Sequence, residues 1–209
     1  MALSLFLLCR SADMEEISLK AICSLDFAEL TEVDQYFALA RAYLNASCVL
    51  SNLMLRPEVT SDYANTRVIL HLCRQAVELF LKGTILGVTR KRYNAGKDKN
   101  GFIINSHNLV PLMTKYRSVL PEQRFHFEMP FGFETIRNCE GYCNDKLMSA
   151  ESYHELLDQR HRYPADRKGH LFTTDFSIDS FTPATYLAKL EELADVFALV
   201  EEHLGRRVS

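Results

Sequence analysis

No run of apolar residues in this sequence approaches the ~18 that a membrane-spanning helix requires. The opening segment MALSLFLLCRSADM lacks the basic residues that begin a secretory signal, and its apolar core is only Leu5 to Leu8. A strong excess of charge is also missing, because 24 Lys and Arg face 27 Asp and Glu, giving a net charge of −3. We therefore expect a chain outside the membrane, and any contact with nucleic acid would need a local basic patch.

Paired cysteine motifs are absent as well. The six cysteines are scattered, and a chain of 209 residues is long enough to form a core without disulfides. Cys139 and Cys143 are four residues apart, but the short zinc spacing and a second pair are missing, so we interpret them as structural thiols. This pattern predicts a reducing, cytoplasmic compartment and no metal site.

The common nucleotide and hydrolase motifs are missing too. The segment AGKDKNG contains a Gly-Lys pair, but the upstream glycine of a phosphate loop is replaced by Lys91. Neither a dinucleotide-binding glycine pattern nor a serine nucleophile elbow occurs. We therefore expect no cofactor.

The sequence does contain four clear helical patterns, in which apolar residues recur at helical spacing over residues 29–55, 61–87, 106–120 and 182–205. Thr31 with Asp34 predicts the start of the first, and Thr182 with Pro183 the start of the last. Gly87 predicts the end of the second. The fold class is therefore all-α, an antiparallel bundle of four to five helices.

Residues 122–180 have no clean period, and we expect an irregular insertion or a short hairpin there. The predicted organisation is an N-terminal extension over 1–28, followed by a single helical domain over 29–205.

The second helix carries polar residues in a narrow row, which we call the polar line. It consists of Arg67, His71, Arg74, Glu78 and Lys82. Glu78 and Lys82 have the i, i+4 spacing of a helix-stabilising ion pair, and Arg74 extends the alternation of charge. The alternative interpretation is a phosphate site built from Arg67, His71 and Arg74.

Basic residues cluster in two further segments. Residues 90–99 contain Arg90, Lys91, Arg92, Lys97 and Lys99 against one acidic residue. Residues 160–168 contain Arg160, Arg162, Arg167 and Lys168 against Asp166. Such segments can neutralise phosphates, and the first is the predicted nucleic-acid contact, although polar loops are often simply solvated.

The segments HLCRQAVELFLKGTILG and SHNLVPLM resemble the HEPN superfamily (higher eukaryotes and prokaryotes nucleotide-binding domains). The family pattern is matched by His71, Gln75, Ala76, Glu78, Leu81, Lys82, His107 and Leu109. The later HRYPAD, residues 161–166, is similar to an element of some bacterial members. The resemblance covers roughly residues 29–205 and is strongest over 65–116. It implies an antiparallel bundle, a homodimer and a structural polar network in which His107 docks onto Glu78 beside Arg74 and Lys82.

Many HEPN members are metal-independent ribonucleases with an Arg and a His separated by four to six residues. Arg67 and His71 have only three residues between them, whereas Arg162 and His170 have seven and Arg160 and His170 nine. The resemblance therefore favours a non-catalytic module that binds RNA, nucleotide or a partner protein. Such modules occur beside nucleotidyltransferase or antitoxin partners in bacterial defence or toxin–antitoxin systems. A diverged ribonuclease using Arg67 and His71, or Arg160 and Arg162 with His161 or His170, and a purely structural interaction module remain the alternatives.

Overall fold

The structure, a computed structural model, describes residues 26–56, 58, 63–90, 107, 109–128 and 182–206. These residues form four long helices and a short first one, with no strand among them, so the predicted all-α fold is confirmed. The helices are α1 (Asp26–Glu29), α2 (Glu32–Leu53), α3 (Tyr63–Thr89), α4 (Leu109–Val119) and α5 (Pro183–His203). A single 3-10 turn, Gln123–Phe125, follows α4.

Local sequence signals set the starts of α2 and α5. The Thr31 hydroxyl accepts a hydrogen bond from the backbone N–H of Asp34 at 3.3 Å, as the sequence predicts. The Thr182 hydroxyl accepts one from the N–H of Thr185 at 3.2 Å, and Pro183 occupies the first turn. α5 ends at His203, and Gly205 just beyond it has a φ of +67°, the left-handed conformation in which glycine closes a helix.

α2 and α3 form an antiparallel pair in close contact. The Ser47 hydroxyl donates to the carbonyl of Ile69 at 3.4 Å near one end of the pair. Near the other end, a Cβ added to Gly83 would lie 2.8 Å from Cβ of Tyr36. The absence of a side chain at Gly83 therefore lets the two helices approach closely.

The core lies where α2, α3, α4 and α5 meet, and aromatic rings dominate it. The Phe80 ring stacks on Phe197 with centroids 3.7 Å apart, and it is tilted against Phe37 and Tyr116. All four side chains are at most 1% exposed. These contacts join all four long helices around one ring, Phe80. They therefore fix the rotation of α3 about its axis, and with it which side chains of α3 point away from the core.

One helix end differs from the prediction. α3 continues past Gly87 to Thr89, and Arg90 adopts the left-handed conformation, with φ of +51° and its N–H bonded to the carbonyl of Leu86 at 2.9 Å. Gly87 instead lies against the side chains of Val33 and Leu204, 3.3 and 3.5 Å from where its Cβ would be. It therefore provides space between helices rather than a helix end.

Several predicted features lie outside the described residues, among them the start of the third predicted helix at residue 106, Cys139 and Cys143, and residues 129–180 of the expected insertion. The described start of that insertion, residues 122–128, contains the 3-10 turn. Within the part of the chain that the structure covers, none of the helices has the length and apolar content needed to cross a bilayer.

Candidate functional site

The central part of the polar line of α3 lies on the side of the helix that contacts His107, two residues before α4. Its three central and C-terminal members are buried, with Arg74 0%, Glu78 3% and Lys82 8% exposed. Charged side chains are seldom buried to this degree unless they are paired. The line is therefore an internal ionic structure over these residues rather than the solvated edge of a helix.

Glu78 is the centre of this structure, and the four residues of the predicted polar network come together around it. Its Oε1 lies 2.8 Å from Nζ of Lys82 and 2.9 Å from Nδ1 of His107, while its Oε2 lies 3.6 Å from a guanidinium nitrogen of Arg74. Arg74 also donates to the backbone carbonyl of His107 at 2.7 Å. The side chain and the backbone of residue 107 are thus both fastened to α3.

This network has a clear electrostatic cause and effect. The basic side chains of Arg74 and Lys82 share one buried carboxylate, so the carboxylate offsets much of their desolvation. The charge of Glu78 also acts on α2. The pKa of Tyr36 on that helix is raised mainly by burial, then by Glu32, and Glu78 adds a smaller contribution. His107 is mostly exposed, with 77% of its side chain accessible, so only one of its ring nitrogens is held. The arrangement positions the start of α4 and leaves little free charge for chemistry.

Arg67 and His71 begin the polar line, about three and two helical turns before Glu78 at its buried centre. Both are half-buried, and both already interact with neighbouring groups. They lie one helical turn apart, so a guanidinium and an imidazole do occur side by side on α3. The remaining catalytic candidates, Arg160, His161, Arg162 and His170, lie outside the described residues.

Arg90 is the one member of the predicted nucleic-acid contact that the structure describes, and Lys91, Arg92, Lys97 and Lys99 lie outside it. Arg90 is exposed and has a left-handed backbone. Left-handed non-glycine residues cost about 1–2 kcal/mol, and a helix end of this form is usually closed by glycine. An arginine at such a position is a local strain that stability alone does not favour.

Arg90 also lies on the rim of an open groove of about 750 Å³. The ends of α3, α4 and α5 and the start of α2 form its walls. Its apolar floor includes Val33, Leu86 and Leu204, and its rim carries charged or titratable side chains, namely Glu32, Arg90, Glu122, His203 and Arg206. His203 and Arg206 are site residues that the sequence patterns did not indicate, because they come from a helix end far along the chain.

A second buried carboxylate was also missed. Glu201 on α5 is 1% exposed and pairs with Arg41 on α2. Burial raises the pKa of Glu201, although Arg41 opposes the rise, and the nearby Asp34 adds to it. Asp34 itself binds Arg206, with oxygen–nitrogen distances of 2.8 and 2.9 Å. These pairs fasten α5 against α2 beside the groove.

Metal and thiol chemistry find no support in the part of the chain that is described. No three His, Cys, Asp or Glu side chains come together there in a group that would hold a metal ion. Cys48 and Cys73 are buried thiols that are not joined in a disulfide. Burial raises the pKa of the Cys73 thiol, and the neighbouring Cys48 adds to the rise. Both cysteines therefore act as small apolar core residues.

No family model matches the chain, and no curated protein or solved structure shows significant similarity to it.

Proposed function

We propose that this chain is a HEPN-like helical module that binds RNA without cleaving it. The observation that carries the proposal is Arg90, an exposed arginine held in a strained left-handed conformation at the end of α3. It is the first residue of the basic segment 90–99 and lies at the rim of the groove. Strain of this type persists where a side chain is needed for something other than stability.

The chemistry of the segment fits a phosphate backbone. Residues 90–99 contain five basic residues against Asp98 alone, with Tyr93 between them. Arginine presents paired donors that match phosphate oxygens, and an aromatic ring offers a stacking surface to an unpaired base. Because the chain as a whole is slightly acidic, this local charge would direct RNA to the segment that begins at Arg90 rather than to the whole surface.

The binding assay uses a fluorescent single-stranded RNA and measures the dissociation constant at several salt concentrations. Each phosphate contact adds about 0.7 to the slope of log affinity against log salt for single strands. We expect the triple variant Arg90→Gly, Lys91→Gln, Arg92→Gln to lower that slope by about 2. Glycine at position 90 retains the left-handed backbone, so the variant removes charge without adding strain.

A matched control neutralises three basic side chains elsewhere, through Arg56→Gln, Lys115→Gln and Lys189→Gln. The proposal requires these substitutions to leave the slope almost unchanged. Equal losses in the two triple variants would mean that RNA senses only the net charge. Competition with a mononucleotide distinguishes an RNA site from a nucleotide site. If an excess of mononucleotide displaces the RNA, the protein has a nucleotide site instead.

A diverged metal-independent ribonuclease is the second candidate, and the observation that favours it is the half-buried pair Arg67 and His71, one turn apart on α3. The pair would supply a cation for phosphate and a group for proton transfer. Incubation of RNA with the protein in a metal chelator tests it directly. Cleavage that is abolished by His71→Ala or His161→Ala would replace the binding module with a nuclease. Intact RNA in this assay supports the binding module.

The setting of the protein is part of the proposal. The HEPN resemblance suggests a cytoplasmic protein of bacterial defence or toxin–antitoxin type, with a nucleotidyltransferase or antitoxin as partner. Two buried cysteines that form no disulfide, Cys48 and Cys73, fit a reducing compartment. A neighbouring nucleotidyltransferase or defence gene would support this setting. No RNA binding even at low salt would leave a purely structural interaction module.

A further inference from the structure

The groove beside Arg90 has the size of a site for one small molecule. Its volume of about 750 Å³ lies within the ~300–1,000 Å³ that ligand sites occupy. The start of α2 and the ends of α3, α4 and α5 enclose it. Six apolar side chains line it, namely Val33, Leu86, Val88, Val119, Leu120 and Leu204. An apolar chain or ring placed along them would be removed from water, which favours binding.

Most charged groups on the rim of the groove already have a partner. Glu122 pairs with Arg124 at 2.8 Å, and Glu32 also interacts with a neighbouring group. Arg206 donates to both carboxylate oxygens of Asp34, at 2.8 and 2.9 Å. The carboxylates beside the groove are therefore matched by cations or otherwise engaged, and they leave little negative charge for a cationic ligand.

Arg90 is the exception among these charged groups. Its backbone N–H bonds to the carbonyl of Leu86, but within the described part of the chain no group pairs with its guanidinium or accepts a hydrogen bond from it. The C-terminal end of α3 attracts a cation, but this attraction is no stronger than the strain of the left-handed backbone. It therefore does not explain an arginine where glycine is usual, and the guanidinium stays available to an anion.

We propose that the groove binds a small amphipathic carboxylate, with its apolar part along the six apolar side chains and its headgroup against the Arg90 guanidinium. A carboxylate fits because its two oxygens match the paired donors of one arginine. One arginine without a partner also balances a single negative charge. The proposal goes beyond RNA binding and is tested without RNA.

The same features argue against other ligands of this size. A sugar phosphate would bring many polar groups against apolar side chains that offer no hydrogen bond in return. An apolar amine would place its charge beside that of Arg90, where like charges repel. A neutral apolar ligand would gain nothing from the guanidinium. An amphipathic carboxylate is the ligand class that uses both the apolar lining and the unmatched cation.

Isothermal titration calorimetry of the full chain with octanoate tests the proposal. We expect one octanoate to bind per chain. 1-Octanol has the same chain without the charge, and we expect it to bind at least about 10-fold more weakly. Octylamine, which is a cation at neutral pH, should bind more weakly than octanoate as well. Because each buried methylene adds to affinity, decanoate should bind about 4-fold or more tightly than octanoate, and hexanoate about 4-fold or more weakly.

Arg90→Gly removes the guanidinium and retains the left-handed backbone. We expect it to lower the affinity for octanoate at least about 10-fold and to leave the affinity for octanol unchanged. Arg56→Gln is the matched control, because Arg56 is also an exposed arginine just beyond a helix end and does not line the groove. It should bind octanoate as tightly as the wild type does.

Equal affinity of the wild type for octanoate and octanol overturns the proposal, because the charge would then play no part. Octanoate binding that Arg90→Gly leaves intact, or that Arg56→Gln weakens to the same extent, also overturns it. So does the absence of any binding by octanoate and decanoate. The comparison of octanoate with octanol uses the wild type alone, so it remains decisive even if circular dichroism shows that Arg90→Gly has lost helical structure.

Discussion

Gly83→Ala tests the contact that sets the distance between α2 and α3. Alanine is favoured over glycine inside a helix by about 1 kcal/mol, so the substitution alone should stabilise α3. The added Cβ would, however, lie 2.8 Å from Cβ of Tyr36. This is nearly 1 Å closer than the ~3.5–4.0 Å at which carbon atoms attract, and a Cβ cannot rotate away. Overpacking of this type costs about 1–3 kcal/mol.

Subtracting the helix gain from the overpacking cost leaves a net loss of at most about 2 kcal/mol. Because the contact is this short, we expect Gly83→Ala to lower the free energy of unfolding by about 1–2 kcal/mol. In a chain of this size, each kcal/mol corresponds to roughly 2–4 °C in Tm. Urea unfolding followed by circular dichroism measures the free energy, and a thermal melt measures Tm. An unchanged or raised stability would show that the two helices do not approach closely at this position.

The same substitution at Gly87 is an internal control. Its added Cβ would meet only Val33 Cγ1 at 3.3 Å and Leu204 Cδ1 at 3.5 Å. Both atoms are at the ends of partly buried side chains that can shift by a few tenths of an ångström. We therefore expect Gly87→Ala to be neutral or to stabilise by about 0.5 kcal/mol. Destabilisation by both variants to the same degree would refute the reasoning from distance.

Three further predictions concern charged residues. Burial raises the pKa of Glu201 in the folded state above its ordinary value of 4.5, so the folded state holds the carboxyl proton more tightly than the unfolded state does. The free energy of unfolding therefore falls as pH rises from the ordinary pKa to the higher pKa of the folded state. Because Arg41 is one-third exposed, Glu201→Gln does not leave a buried charge without a partner. In urea unfolding at pH 7, the variant should be as stable as wild type or more stable. Near pH 4, the stability of wild type relative to the variant should increase. Arg90→Gly should raise the free energy of unfolding by about 1 kcal/mol while slightly weakening RNA binding. Glu78→Gln should cost about 3–5 kcal/mol because it leaves two buried cations without their carboxylate, whereas the mostly exposed His107→Ala should cost about 1 kcal/mol or less.

The starts of the helices could be predicted from the sequence because their signals are local. Thr31 and Thr182 each accept a hydrogen bond from a backbone N–H three residues later, and four consecutive residues suffice to recognise such a cap. The end of α3 could not be predicted in this way. Gly87 looks like a terminator, but the contacts with Val33 and Leu204 that use its small size depend on the packing of three helices.

The contacts of the polar residues show the same difference between local and long-range signals. Glu78 and Lys82 are four residues apart on one helix, so their ion pair follows from helical spacing. His107 was placed beside Glu78 only through the HEPN resemblance, and the structure brings the two together. The pair of Arg41 and Glu201 spans 160 residues, and no local pattern marks either member. Such contacts become visible only when α2 and α5 are packed together.

The most direct test of the proposed RNA-binding function is the salt dependence of RNA affinity in the two triple variants. If the segment that begins at Arg90 binds phosphate, neutralising residues 90–92 lowers the slope of log affinity against log salt by about 2. Neutralising Arg56, Lys115 and Lys189 then leaves that slope close to wild type. Identical slopes for both variants and the wild type would contradict the proposed function.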